Sequence, residues 1–255
     1  MPLTLTPLLY IPLVQPADDL AQMILDSLNV QEIKLEEGDI LVMAQKIVSK
    51  AEGRMENLTM VEPGAEALHY AEITGKDPRL LELILSESKE VIRTRENLII
   101  VEHNLGFISA NAGIDHSNVY GMWGDLEDWV LLLPKNPDQS AERIRKAIEA
   151  ECGCRIGVQI IDSHGRAWRN GTVGVTIGLS GVPGLVDMRG KPDLFGYNLR
   201  VTQIGAADEL AAAASLMMGQ ADESTPVVHV RGFPYPLREG SLQELIRPKE
   251  LDLFR

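Results

Sequence analysis

Residues 155–181 read RIGVQIIDSHGRAWRNGTVGVTIGLSG. The opening RIGVQIID is an apolar run that predicts a strand delivering Asp162 at its C-terminal end. The closing TVGVTIGLSG predicts another strand. No helical period separates them, which departs from the strand–helix–strand cadence of a doubly wound sheet. Between the two runs stand an Asp162–Ser163 pair and two arginines, Arg166 and Arg169, set among glycines. A fold alone does not need two fixed positive charges there, whereas a multiply charged ligand does.

The same mixture extends on both sides. Upstream, ADDLAQMILDSL (17–28) has helical spacing, and Gly38–Asp39 opens a buried strand, Ile40 to Ala44, left by a lysine-rich segment. Residues 64–92, GAEALHYAEITGKDPRLLELILSESKEVI, predict two helices, with a break near Gly75 and Asp77–Pro78 opening the second. Two short strands follow about a turn at Asn104–Leu105–Gly106. DQSAERIRKAIEAECG is an amphipathic helix ending near Gly153. Downstream, NLRVTQI (198–204) predicts a strand, AADELAAAASLMMGQ a helix and PVVHVRG a last strand. The expected class is a mixture of α and β, either α+β or irregular α/β. One domain over 1–255 is expected, with two unequal subdomains meeting near 134–140, PKNPDQS.

The chain of 255 residues is 45% hydrophobic and 24% charged, ordinary for a globular protein. Its net charge of −13 argues against nucleic acid as the main partner. It leaves room for a phosphorylated small molecule, which needs only a local cationic pocket. Cys152 and Cys154 are one residue apart, too tight for an ordinary disulfide staple, and no second pair completes a four-cysteine zinc site. A reduced, cytoplasmic setting is expected. The N-terminal stretch lacks the basic start of a signal peptide, and no segment approaches 18 uninterrupted apolar residues, so no membrane span is expected.

No Walker phosphate loop, dinucleotide fingerprint, HExxH or nucleophile-elbow motif occurs. What remains is a scattered set of charges at strand ends. Asp115 and Asn118 lie in ANAGIDHSN, and Asp162 and Ser163 in IIDSHGR. Their oxygens are hard donors suited to Mg²⁺ or Mn²⁺ against a nucleotide, or else they cap turns, where aspartate is common. Lys46 and Lys50, four apart, share a helix face that is either solvated or built to hold a phosphate. Arg166 and Arg169 suit a carboxylate or phosphate, or form surface salt bridges. His103, His116, His164 and His229 lack metal spacing and read as structural.

Five blocks in order, GDILVMAQKIVSKAEGR, NAGIDHSN, DSHGRAWRNGTVGVTIGLSGV, KPDLFG and ADELAAAASLMMGQ…PVVHVRG, resemble the coenzyme F420-0:L-glutamate ligase family over nearly the whole chain. The resemblance implies an enzyme that adds L-glutamate to the carboxylate of the deazaflavin F420-0, and can add further γ-linked glutamates, with GTP cleaved to GDP and phosphate. It implies Mg²⁺ or Mn²⁺, two ions, and an unusual two-domain fold with mixed sheets, neither P-loop nor Rossmann, in an intertwined homodimer. By motif, Asp115, Asp162, Ser163 and Gln220 would be metal ligands. Ile11, Pro12, Leu13, Val14, Gln45, Lys46, Lys50, Asn118, Gly219 and Gln220 would lie on the nucleotide, and Asp115, Asp162 and Lys50 would serve catalysis. The family more often has Thr where Ser163 stands, and small hydroxyl residues where Gln45 and Lys46 stand. Arg166 and Arg169 are candidates for holding the anionic substrate. Rival readings are another nucleotide-dependent amide ligase and a non-catalytic deazaflavin-binding module.

Overall fold

The computed structural model describes residues 2–119, 121 and 123–253. In chain order they form β1 (Thr4–Pro7), α1 (Leu20–Val30), β2 (Ile40–Ala44), α2 (Gln45–Ala51), β3 (Met55–Asn57), α3 (Ala65–Thr74), α4 (Pro78–Ser86), β4 (Ser88–Arg95), β5 (Leu98–His103) and β6 (Ile108–Ala110). Then come β7 (Trp129–Leu131), α5 (Pro137–Cys152), β8 (Gly157–Arg166), β9 (Arg169–Ser180), β10 (Val186–Asp187), β11 (Gln203–Ile204), α6 (Ala206–Met218) and β12 (Val227–Arg231). The class is mixed α and β, as the sequence predicts.

The main sheet has the order β1-β12-β2-β8-β9. β2 and β8 run parallel, while the other neighbours in that sheet are antiparallel. β2 is apolar on both faces because both are covered. Leu41 and Met43 join Ile24 and Leu28 of α1 and Ile144 and Ile148 of α5 in one core. Ile40 and Val42 turn the other way, onto Leu210, Ala211 and Ala214 of α6. Alternation along a strand thus feeds two cores from five consecutive residues. A third core joins Leu80, Leu81 and Ile84 of α4 to Ile99 and Val101 of β5 and to Val130 and Leu132.

Local signals explain several boundaries. Asn136 caps α5 by accepting from the Gln139 amide at 3.1 Å, and Pro137 occupies the first turn, where its missing N–H costs nothing. At the other end Gly153 takes φ 69°, a left-handed cap that a side chain would resist.

Three sequence expectations shift. Residues 88–92, expected to finish the second helix, instead begin β4, because the segment pairs with β5 from Ser88↔His103 onward. The strand expected over 198–204 shortens to Gln203–Ile204. Asp162 does not end its strand: β8 runs on to Arg166. What ends beside it is β2, whose Ala44 pairs with Ile161.

Candidate active site

A cavity of about 940 Å³ opens where β2 stops and β8 continues. In parallel sheets, ligands bind at the carboxyl ends of strands, where chains diverge to opposite sides. Here β2 runs directly into α2, so Gln45 and Lys46 at its start and Lys50 in its last turn line the space beside Asp162.

Asp115 enters from the opposite wall. Its backbone is bound both ways to Leu131, with N–H to carbonyl distances of 3.0 and 2.8 Å. Before it, Asn111, Ala112 and Gly113 take φ values of 53°, 53° and 67°. That left-handed turn is costly for Asn and Ala and aims the chain into the cavity. The Asp115 Oδ2 atom accepts from Gln45 Nε2 at 2.9 Å and lies 3.1 Å from Lys46 Nζ. Ser49 Oγ donates to Gln45 Oε1 at 2.8 Å, which fixes the amide orientation.

On the β8 side, His164 Nε2 lies 3.0 Å from Asp162 Oδ2. The imidazole leans on Phe107, with ring centroids 5.1 Å apart. Ser163 Oγ donates to Gln220 Oε1 at 3.0 Å, and Gln220 Nε2 donates to Ser215 Oγ at 3.0 Å. Asn118 Nδ2 reaches the Ala221 carbonyl at 3.1 Å, joining the two walls.

Electrostatics follow from this crowding. Burial pushes the Asp115 carboxyl up, the Lys46 ammonium pulls it down, and the Asp162 carboxylate pushes it up again, leaving it above the usual range. Burial holds the Lys50 ammonium below its ordinary value, and the charge of Lys46 adds to that. The cavity therefore favours a cation near its acids and an anion near its lysines.

Ile11, Pro12, Leu13, Val14, Gln45, Lys46, Lys50, Asp115, Asn118, Asp162, Ser163, Gly219 and Gln220 all line this one cavity. Arg166 and Arg169 do not; they pair across the tip of the β8–β9 hairpin, with Arg166 Nη1 donating to the Gly171 carbonyl at 3.0 Å. Sequence reasoning gave His164 no role at the site. The signal was present, since residues two apart on a strand share a face.

Among the described residues no three His, Cys, Asp or Glu side chains gather into a metal-binding group. The donors here are two carboxylates, a hydroxyl and an amide oxygen. That set suits Mg²⁺ or Mn²⁺, which retain several waters.

Residues 9–232 match the family model described as F420-0:Gamma-glutamyl ligase. The chain is 47% identical to the coenzyme F420:L-glutamate ligase of Methanothermobacter thermautotrophicus, covering 96% of this chain and 95% of that one. It is 45% identical to the protein of the same name from Methanocaldococcus jannaschii, covering 90% and 91%. Identity to that of Archaeoglobus fulgidus is 40%, covering 96% and 93%. Agreement of this extent, over most of the chain and most of each relative, means that the protein belongs to the F420-0:gamma-glutamyl ligase family and is an enzyme of the ligase class.

Proposed function

We propose that the protein joins L-glutamate to the carboxylate of F420-0, with GTP cleaved to GDP and phosphate. The observation that carries this reading is the meeting of Asp115, Asp162, Lys46 and Lys50 in one cavity, although they arise from distant parts of the chain.

A carboxylate is a poor electrophile. Its oxygen attacks the γ-phosphorus of GTP, the bond to the β-phosphate oxygen breaks, and GDP departs, leaving an acyl phosphate. The glutamate amine then attacks the acyl carbon, loses a proton, and inorganic phosphate leaves as the amide forms. No protein nucleophile is needed. Lys46 and Lys50 hold phosphate oxygens, where an anion relieves their mutual repulsion. Ile11 to Val14 form an apolar wall for the nucleotide, with Asn118 and Gly219 beside it. Asp115, Asp162, Ser163 and Gln220 are the residues that would hold Mg²⁺ or Mn²⁺, one ion or two. A bound ion would neutralise charge developing on the transferring phosphoryl group. Arg166 and Arg169, outside the cavity, would meet the anionic acceptor at its outer end.

Two further parts of the reading concern the setting. Leu194, Phe195 and Val201 are 97%, 95% and 85% exposed, apolar surface that a second copy would cover in a homodimer. A cytoplasmic location fits the two free cysteines. No described helix is long and apolar enough to cross a membrane.

The test is mass spectrometry of F420-0 incubated with protein, L-glutamate, GTP and Mn²⁺, beside an Asp162→Ala variant. A gain of one or more glutamyl units with release of GDP, absent in the variant, is the expected result. Tight binding of F420-0 with no mass gain would replace the ligase reading by a binding function.

A further inference from the structure

The charges in the cavity are not shared evenly. Asp115 Oδ2 lies 3.1 Å from the Lys46 ammonium and accepts from Gln45 at 2.9 Å. Asp162 Oδ2 meets an imidazole. Lys46 is further held by Ser117, whose carbonyl and hydroxyl oxygens lie 2.9 and 2.8 Å from Nζ. Its side chain is still 25% exposed, on a flexible four-carbon stem.

We propose that Lys46 is a tethered counter-ion, which occupies Asp115 until a divalent cation displaces it and then passes to the phosphate of the nucleotide. The inference rests on the metal and nucleotide reading above. An ammonium and a divalent ion cannot share one carboxylate oxygen without strong repulsion. Lys50 stands one helical turn further on and adds a like charge to Lys46. A displaced Lys46 is therefore driven away from both the metal and Lys50, and an arriving phosphate supplies the negative charge that receives it. Metal and nucleotide then assist each other through this one side chain, in equal measure in both directions.

The test is a titration of nucleotide-free protein with Mn²⁺, followed by the electron paramagnetic resonance signal of the free ion. The proteins compared are the unmodified chain, Lys46→Met, Lys46→Arg and Asp162→Asn. Removing the competing charge in Lys46→Met is expected to tighten Mn²⁺ binding about tenfold, while Lys46→Arg stays near the unmodified protein. GDP affinity in the presence of Mn²⁺, read by calorimetry, is expected to fall about tenfold in Lys46→Met. Structural damage loosens a metal site, so tightening is a signature that damage does not give. Equal or weaker Mn²⁺ binding in Lys46→Met overturns the inference. If the ion also binds the unmodified protein and is lost in Asp162→Asn, the metal reading survives that result. If the unmodified protein binds no Mn²⁺, the metal reading and the inference fall together.

Discussion

His164 stands two residues beyond Asp162 on the same strand, and its Nε2 atom lies 3.0 Å from the Asp162 carboxylate. The ring is braced by Phe107, itself stacked on His103 at 5.0 Å, so the carboxylate is aimed by an aromatic ladder. Partners of this kind orient acidic groups that act on metals and substrates. His164→Ala is expected to lower ligase turnover about 10–100-fold with a small change in melting temperature. His164→Gln, which can still donate, should recover part of it. Steady-state kinetics beside thermal unfolding separates the two effects, and equal turnover in both variants would remove the role.

The ladder's inner member has a pH dependence of its own. Burial lowers His103 from 6.5 to about 4, against an upward pull from Glu87. Above pH 6.5 folded and unfolded chains are both neutral at this site. Below it the unfolded chain takes a proton that the folded one refuses, so stability falls as pH drops toward 4. The loss reaches about 3 kcal/mol at most. Urea midpoints at pH 7 and pH 4.5 read this difference, which should shrink in His103→Gln.

Asp39 is the buried anchor at the far end of β2. Burial alone would raise its carboxyl, but hydrogen bonds from Arg231 and His229 outweigh that and hold it far below the usual range. The bonds are short: 2.7 and 2.9 Å to Arg231 and 2.8 Å to His229. The stability from this carboxylate is present at neutral pH and is lost only as pH falls from about 4 downward. Asp39→Ala strands the buried His229 donor, while the part-exposed Arg231 keeps Glu36, and is expected to cost about 1–3 kcal/mol, measurable in denaturant unfolding.

Gly174 lets α6 dock. A Cβ there would sit 2.5 Å from the Ala211 carbonyl oxygen and 2.6 Å from the Ser215 Cβ. Gly174→Ala should destabilise the protein by about 1–3 kcal/mol through overpacking. Because Gln220 follows α6 and holds Ser163, the same variant should lose activity at temperatures where it remains folded. Full activity in a destabilised variant would separate the helix position from the site.

Much of this architecture was legible. The Ile40–Ala44 run could only be a buried strand, and α5 carries its own stop signal in Gly153. Ser88–Ile92 was not legible, since its pairing with β5 lies outside any local window. The candidate site divides in the same way. Residue types at 46, 50, 115 and 162 allowed metal and phosphate as well as turn caps and a solvated helix face, and nothing local brings Lys46 to Asp115. That meeting depends on the backbone bridge from Asp115 to Leu131 and on the pairing of Leu131 with Met55, just after α2. The histidine at 164 had the right spacing but gained meaning only once Asp162 had a place.

The strand order has a consequence for how the chain is made. β12 is made long after β1 and β2, yet it lies between them in the sheet. Ile40 and Gly157, partners in the central pair, are more than a hundred positions apart. During synthesis β1 and β2 therefore wait with open edges and uncovered apolar faces. Such edges invite pairing with other chains, and long-range pairings form slowly. The half of the cavity made first, with Lys46 and Asp115, has no Asp162 beside it until β8 arrives. Synthesis that stops before β12 leaves β1 cut off from the sheet and an open edge on β2, which favours aggregation.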